Sequence, residues 1–119
     1  MDLRNVVVAI SGASGSIYGI RVLQMLRQVE DVNSHLVITP SAKSTIGVET
    51  EYSVSEIEEL ADEVHSARDI GASIASGSFK TVGMIVAPCS IKTLSAIANS
   101  FGADLVSRAA DVTLKERRP

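Results

Sequence analysis

Apolar residues follow two alternating patterns along the chain. Residues 4–10 form a continuous run rich in β-branched residues, which is typical of a strand buried on both faces of a parallel sheet. Two further strands are predicted over residues 33–38 and 81–87. Between the first two strands, apolar residues recur with helical spacing at Ile17, Ile20, Leu23, Leu26 and Val29. This order predicts a βαβ unit with a right-handed crossover, and therefore an α/β fold.

Two helices are predicted directly after the second strand. The first has Thr39 as its N-cap and Pro40 at its first position, and it ends near Glu49. The second begins with a capping-box sequence over residues 53–56. Its apolar stripe extends to the residue before His65, so the pattern places His65 at the C-terminal end of this helix.

The second half of the chain repeats the same arrangement. Residues 68–79 are rich in small residues and are expected to form a loop or a broken helix that leads to the third strand and is a candidate for lining a site. Helices are predicted over residues 91–98 and after Asp104, which is a suitable N-cap. The pattern as a whole predicts a three-layer, Rossmann-like or flavodoxin-like domain with a parallel sheet.

The composition fits one domain and argues against several classes of partner. Of the 119 residues, 45% are hydrophobic and 21% are charged, which is enough apolar material for one core. The net charge of −3 without a long run of one sign argues against binding to nucleic acid or to a membrane surface. No apolar run has the length of a membrane span and the N-terminus lacks a secretory signal, so we expect a cytoplasmic protein.

The C-terminus lies at an unusual point of the pattern. Pro119 comes directly after a predicted helix, where an alternating α/β chain would enter its next strand. We therefore expect residues 1–119 to form a single α/β domain that is truncated at its C-terminus and is the N-terminal part of a longer domain.

The turn after the first strand is the strongest candidate for a ligand site. Gly12, Gly15 and Gly19 have the spacing G-x-x-G-x-x-x-G, and the helix that follows directs backbone N–H groups toward this turn, where they form an anion cradle. Ser14 replaces the second glycine of the dinucleotide fingerprint, and the second strand ends at Thr39 instead of near an acidic residue, so NAD is disfavoured. From these residues alone, a phosphate-bearing ligand and an ordinary turn of small residues both remain open.

A similar turn follows the third strand. If the two strands are parallel neighbours, the turn at Gly12 and the turn at residues 90–93 lie in one crevice at the carboxyl ends of the strands, where open α/β sheets bind ligands. Cys89 is the only cysteine and has no histidine nearby in the sequence. It is therefore expected to be a buried small residue and not a nucleophile. The two histidines of the chain are scattered and do not have the spacing of a metal site.

Four charged residues have alternative interpretations. Glu49 is expected at a helix C-terminus, where the helix dipole disfavours a carboxylate, so it is either functional or a solvated surface residue. Arg108, Asp111 and Lys115 share one face of the last helix. They form either an exposed helix pair or two cations for a phosphate, with Asp111 orienting one of them.

Four sequence blocks resemble one known family, the flavin prenyltransferases of the UbiX type. The blocks are ISGASGSIYGIR at 10–21, SGSF at 76–79, APCSIKTL at 87–94 and RAADVTLKERRP at 108–119. This family was formerly described as 3-octaprenyl-4-hydroxybenzoate carboxy-lyases or aromatic acid decarboxylases. The resemblance implies transfer of a dimethylallyl group from dimethylallyl monophosphate to N5 and C6 of reduced FMN, without a metal. Prenylated FMN would then serve a UbiD-type decarboxylase in ubiquinone biosynthesis or aromatic-acid metabolism.

The resemblance also implies roles for individual residues. The flavin-binding positions of the family fall on Gly12, Ala13, Ser14, Thr39, Ser90, Ile91, Lys92 and Thr93. The Ser14 hydroxyl is expected near flavin N5, and Thr39 stands where the family usually has serine. Ser14, Glu49 and Lys115 are the candidate catalytic residues. Arg108 and Lys115 are the candidate ligands of the substrate phosphate, because fixed cations can hold the charge of a leaving phosphate.

The resemblance has consequences for assembly and leaves two alternatives open. Family members continue beyond residue 119 and form dodecamers with sites between subunits, so we expect a homo-oligomer. A molecule that ended at Pro119 is expected to have impaired or absent prenyl transfer. The alternatives are an FMN-dependent decarboxylase of cysteine-containing substrates, whose histidine base is not located in this sequence, and a non-catalytic flavin-binding domain.

Overall fold

The computed structural model describes residues 3–119 and has the alternating order that the apolar pattern predicts. The strands are β1 (Arg4–Ile10), β2 (Val32–Ile38), β3 (Glu63–Ser66) and β4 (Gly83–Val86). The α-helices are α1 (Ser16–Arg27), α2 (Pro40–Glu49), α3 (Val54–Glu59), α4 (Ile91–Ala98) and α5 (Leu105–Lys115), and one 3₁₀ turn covers Ser73–Ala75. The predicted α/β class is confirmed. None of the helices within residues 3–119 combines the length and the apolar character needed to cross a membrane.

The four strands form one parallel sheet in the order β3-β2-β1-β4. In the central strand β1, Ile10 is the register partner of Ile38 on β2, and Ala9 is the partner of Val86 on β4. The chain therefore builds the sheet outward from β1 to β3 and then returns to the other side of β1. This reversal places a topological switch point between β1 and β4.

Apolar residues of β1 alternate between two cores because successive side chains of a strand point to opposite faces. Val6, Val8 and Ile10 belong to the core under α1, α2 and α3, together with Ile20, Leu23, Ile46 and Ile57. Val7 and Ala9 belong to the second core, together with Ile74 and the α5 residues Leu105, Val106 and Ala109. The sheet is thus covered on both faces, as the continuous apolar run of β1 predicts.

Strand β3 is the element that the sequence pattern assigns incorrectly. The helix that starts after Ser53 has its capping box, but it ends at Glu59, and His65 lies on β3 and not at a helix C-terminus. Parallel pairing with β2 determines this conformation, since Val64 is the register partner of Leu36. The four residues Glu63–Ser66 contain one strand-favouring apolar residue, which is too little for a strand pattern.

Two smaller differences affect element ends. Helix α1 ends at Arg27, so Val29, which continues its apolar spacing, lies outside the helix and is 45% exposed. Strand β4 covers only Gly83–Val86, within the longer apolar run over residues 81–87.

His35 lies in a polar cluster between β2 and β3. Its side chain is only 1% exposed, its Nδ1 is 3.0 Å from Nε2 of His65, and its Nε2 is 3.1 Å from Oδ1 of Asn5. The Glu63 carboxylate lies 3.4 Å from Nε2, and the two imidazole rings stack with their centroids 5.3 Å apart. Burial is the main influence on His35 and lowers its pKa, although the carboxylates of Glu63 and Asp62 oppose the shift and His65 adds to it. At neutral pH the imidazole of His35 is therefore uncharged in the folded chain.

We expect the free energy of unfolding to fall as the pH is lowered through the ordinary histidine value of 6.5. Below this pH the unfolded chain protonates His35, whereas the folded chain, with its lower pKa, stays neutral until the pH is lower still. The loss is complete once the pH lies below the folded-state pKa. Denaturant unfolding from about pH 8 to about pH 5 measures this slope, which should be smaller in His35→Gln. Equal slopes in the two proteins would contradict the assignment.

Candidate functional site

A cavity of about 880 Å³ opens at the carboxyl ends of the strands. The turns after β1, β2 and β4 line it through Gly12, Thr39 and Ser90, and the opposite wall is formed by the end of α4, the α4–α5 connection and the start of α5. The cavity lies at the switch point between β1 and β4, where open α/β sheets bind ligands, and it has the size of a small-molecule site. The prediction that the turn at Gly12 and the turn at residues 90–93 share one crevice is confirmed.

The buried Ser11 side chain joins the turn after β1 to the turn after β4. Its Oγ donates a hydrogen bond of 2.7 Å to the Pro88 carbonyl oxygen and accepts one of 2.7 Å from the Ser90 N–H. The Ser11 N–H also donates to the Pro88 oxygen at 3.2 Å. Because Ser11 is fully buried, water does not compete for these bonds, and the start of α4 is held at a fixed position relative to β1.

Helices α2 and α4 both direct their N-termini toward the cavity. On α2, the Thr39 hydroxyl accepts a hydrogen bond of 3.2 Å from the Ala42 N–H, as the predicted N-cap requires. On α4, the Ser90 hydroxyl accepts a bond of 3.2 Å from the Thr93 N–H. Each helix thus adds the positive end of its dipole to the cavity wall, and Lys92 adds a cationic side chain there.

Helix α1 differs from α2 and α4 because a carboxylate of the chain itself occupies its N-terminus. Oε1 of Glu49 accepts hydrogen bonds from the N–H groups of Gly15 and Ser16, at 3.1 and 3.3 Å. The Ser14 side chain, followed by these backbone N–H groups, lowers the pKa of Glu49, which is therefore ionised at neutral pH. The predicted anion cradle after β1 is thus present, but two of its donors bind Glu49.

Glu49 also resolves the electrostatic conflict that its sequence position suggested. As the last residue of α2 it lies at the unfavourable end of that helix dipole. Its side chain, however, reaches the favourable end of α1. The carboxylate therefore ties the C-terminus of α2 to the turn that contains Ser14.

The predicted flavin-binding residues divide into two groups in the structure. Five line the cavity: Gly12, Thr39, Ser90, Lys92 and Thr93. Ala13 and Ser14 belong to the same turn as Gly12 but do not line the cavity, and Ile91 is 80% exposed on the first turn of α4. Cys89, which was expected to be buried, is only partly buried, and this burial raises the pKa of its thiol.

The cations predicted on α5 are not brought to the cavity within residues 3–119. Arg108 donates from Nε to the Gly102 carbonyl oxygen at 3.1 Å, and Lys115 lies at the opposite end of α5 from the cavity. Seven residues of helix separate the two by about 10 Å along the axis. Asp111 makes no ion pair with either cation among the described residues. A shared phosphate-binding role of Arg108 and Lys115 therefore stays a prediction.

Apart from Arg68, which begins the small-residue segment expected to line a site, several cavity residues were not found from the sequence. Arg68 and Ala67 follow β3, and Phe101, Asp104 and Ser107 lie on the opposite wall. The strand that carries Arg68 to the cavity was assigned to a helix, so its position could not be inferred. No group of three or more His, Cys, Asp or Glu side chains in residues 3–119 is placed to hold a metal ion.

This fold and site define a doubly wound α/β protein with a crevice at its switch point, into which two helix N-termini point. The family model described as Flavoprotein matches residues 1–119, and the chain belongs to this family.

Individual relatives confirm the resemblance to the UbiX type. The chain is 56% identical over 117 residues to the flavin prenyltransferase UbiX of Escherichia coli K12, covering 98% of this chain and 62% of the relative. A crystal structure of AnUbiX (PadA1) in complex with FMN and dimethylallyl pyrophosphate is 52% identical and superposes with a TM-score of 0.95, covering 98% of this chain and 61% of the other. A dodecameric FMN-dependent UbiX-like decarboxylase from Escherichia coli O157:H7 is 48% identical with a TM-score of 0.94, covering 96% and 62%. The chain thus spans about three fifths of the length of these proteins.

We expect Gly19→Ala to disturb the site and Gly47→Ala to leave it intact. A Cβ on Gly19 would collide with the Ala87 carbonyl oxygen and lie 2.7 Å from Cγ1 of Ile10, so α1 would have to move away from the sheet. Such overpacking costs about 1–3 kcal/mol. A Cβ on Gly47 has no neighbour within 4 Å, and an alanine there should stabilise α2 by up to about 1 kcal/mol.

Denaturant unfolding of both variants measures this difference. Both substitutions replace a helical glycine by alanine, so they differ mainly in the space around the new methyl group. Equal free energies of unfolding for the two variants would contradict the prediction, because they would show that the close approach of α1 to the Ala87 carbonyl does not exclude a methyl group at position 19.

Proposed function

We propose that the protein containing this chain is a flavin prenyltransferase, which transfers a dimethylallyl group from dimethylallyl monophosphate to N5 and C6 of reduced FMN. The observation that carries the proposal is the convergence of Gly12, Thr39, Ser90, Lys92 and Thr93 on one cavity, at positions that match the flavin-binding residues of the family. The solved relative that contains FMN and dimethylallyl pyrophosphate supports it.

The residues around the cavity suit a ligand that combines a phosphate with a flat ring. The N-termini of α2 and α4 offer backbone N–H donors to a phosphate, and Lys92 offers a cation. Small apolar and polar side chains form most of the remaining wall, together with the charged residues Arg68 and Asp104, and Phe101 is the one aromatic residue of the wall within residues 3–119. FMN therefore fits this site. When bound, reduced FMN would supply the nucleophilic atoms of the reaction.

Ser14 and Glu49 form a coupled pair beside the cavity in this proposal. The Glu49 carboxylate accepts from the N–H groups of the Ser14 turn and is kept ionised, so it can orient the Ser14 hydroxyl as a hydrogen-bond acceptor. Because the same carboxylate joins α1 to α2, substitution of either residue should change the geometry of the turn as well as its charge.

Lys115 and Arg108 would stabilise the phosphate that leaves the prenyl donor. Both side chains are exposed in this chain, and the solved relative from Escherichia coli O157:H7 is dodecameric. We therefore propose that these residues act in sites that neighbouring subunits and the remaining two fifths of a full-length protein complete. The product, prenylated FMN, would be used by a UbiD-type decarboxylase.

The cysteine decarboxylase alternative is less well supported by the geometry. That chemistry uses a histidine base, and neither His35 nor His65 lines the cavity. His35 lies on β2 and His65 on β3, and both belong to the polar cluster with Asn5 and Glu63.

Mass spectrometry tests the proposal on the full-length protein. After incubation with reduced FMN and dimethylallyl monophosphate, a prenylated flavin should be found. Lys115→Ala should lower turnover by about a hundredfold, as loss of a charge-stabilising group does elsewhere, with FMN affinity nearly unchanged. Lys43→Ala, which removes an exposed lysine of α2 outside the cavity, is the matched control.

Three outcomes would count against the proposal. Absence of an adduct despite FMN binding would favour a non-catalytic flavin-binding domain. Equal losses of turnover and FMN affinity in Lys115→Ala would contradict the role of Lys115. Equal effects of Lys115→Ala and Lys43→Ala would reduce the role to general surface charge.

A further inference from the structure

Arg68 is a cation of the cavity wall to which neither the sequence nor the resemblance assigns a role. It follows β3, and its side chain lines the cavity together with Thr39, Pro40 and Ser41 of the neighbouring turn. The register explains this position, because Ser66 pairs with Ile38 at the ends of β3 and β2. Two residues beyond this pair, the segments that follow β3 and β2 therefore lie at the same edge of the sheet, with Arg68 beside Pro40.

The backbone around Arg68 is fixed, whereas its guanidinium is not engaged. The Ala67 carbonyl oxygen accepts a hydrogen bond of 2.9 Å from the Leu105 N–H at the start of α5, and the Arg68 N–H donates to the Ser66 hydroxyl at 3.3 Å. Among residues 3–119 the Arg68 guanidinium makes no hydrogen bond or ion pair. By contrast, Arg108 donates to Gly102, and Arg118 donates to Phe79 and Gly77.

The other charged residues of the wall leave Arg68 available for an anion. Asp104 is the only carboxylate lining the cavity within the described chain, and its Oδ1 accepts bonds of 2.9 Å from both the N–H and the hydroxyl of Ser107. Lys92 is the other cation, but it lies after β4, at the opposite edge of the sheet from β3. Three strand spacings separate these edges, a distance of about 14 Å.

A backbone donor lies on the same side of the cavity as Arg68. In the first turn of α2, Pro40 has no N–H, and the Ala42 N–H is bound to the Thr39 hydroxyl. This leaves the Ser41 N–H, at the positive end of the α2 dipole, for a ligand. A guanidinium and a helix N-terminus together are a favourable combination for the oxygens of a phosphate.

We propose that Arg68 binds a phosphate monoester at the β3 side of the cavity, a residue role that deepens the proposed function and rests on it. The proposed reaction brings two phosphate monoesters to one site, on the flavin and on the prenyl donor. The cavity has two cations at opposite edges of the sheet. Lys92 belongs to the segment after β4, and Arg68 serves the phosphate on the other side.

Flavin titrations of the full-length protein test this role, with FMN and riboflavin as probes because they differ only in the phosphate. Arg68→Gln should weaken the binding of one phosphate ligand by about tenfold or more, the size expected for a charged hydrogen bond. Arg68→Lys, which keeps the charge but loses the bidentate geometry, should lie in between. Lys43→Gln makes the same charge change on neighbouring α2, outside the cavity, and should have no effect. Thermal unfolding checks that Arg68→Gln folds.

The two sources of phosphate give different results. If Arg68 binds the flavin phosphate, Arg68→Gln weakens FMN binding and leaves riboflavin binding unchanged. If it binds the prenyl donor, FMN binding is unchanged and KM for dimethylallyl monophosphate rises by about tenfold. Either result supports the inference.

Unchanged values in both assays would overturn it while leaving the proposed function intact. Equal losses for FMN and riboflavin would also overturn it, because the residue would then contact the ring or the ribityl chain. If the wild-type protein bound no flavin at all, the proposed function itself would fail, and this inference with it.

Discussion

The buried hydroxyl of Ser11 is the contact on which the geometry of the crevice depends most. Strands β1 and β4 are neighbours in the sheet, but their backbone ladder covers only residues 6–9 of β1. Beyond it, Ser11 ties the two turns together: its hydroxyl accepts from the Ser90 N–H and donates to the Pro88 carbonyl, and its backbone N–H donates to the same carbonyl. Removal of this hydroxyl would leave the Ser90 N–H without its partner, at a cost of about 1–3 kcal/mol, whereas the Pro88 carbonyl would still accept from the Ser11 N–H. The N-terminus of α4 is therefore held beside the turn after β1.

Close packing around two glycines adds to this constraint. Gly19 lets α1 approach the Ala87 carbonyl, and a Cβ on Gly12 would collide with Cβ of Ser41 on α2. Glu49 closes the arrangement by linking the end of α2 to the start of α1. The N-termini of α2 and α4 are left facing the cavity, whereas the N-terminus of α1 is neutralised from within the chain. An external anion would therefore find N–H donors at the starts of α2 and α4, whereas those of Gly15 and Ser16 at the start of α1 already bind Glu49.

The parts of the fold that could be predicted are those that local physics determines. β1 contains a continuous apolar, largely β-branched run, β2 ends in the apolar residues Leu36, Val37 and Ile38, and Thr39, Ser53 and Asp104 cap their helices as their side chains allow. The contacts of Glu49 could not be predicted, because its carboxylate binds N–H groups 33 and 34 residues away in the sequence.

β3 shows why one part of the site was missed. Its four residues have little strand character of their own and become a strand by pairing with β2. Without β3, His65 was placed on a helix and Arg68 in a loop of unknown position. The cations of α5 show a different limit of the sequence pattern, which identifies residues on one helix face but not whether they reach one ligand. Arg108 and Lys115 share a helix face, but a common face does not bring two side chains about 10 Å apart to one ligand.

The most direct test of the account is amide hydrogen exchange of the full-length protein with and without FMN. If the crevice at the switch point is the flavin site, FMN should slow exchange at the N–H groups of residues 12–14, at Ser41 and over residues 90–93. Helix α3, which lies away from the cavity, should exchange at an unchanged rate. Binding of FMN without protection of these three turns would contradict the account, because the flavin would then lie elsewhere on the protein.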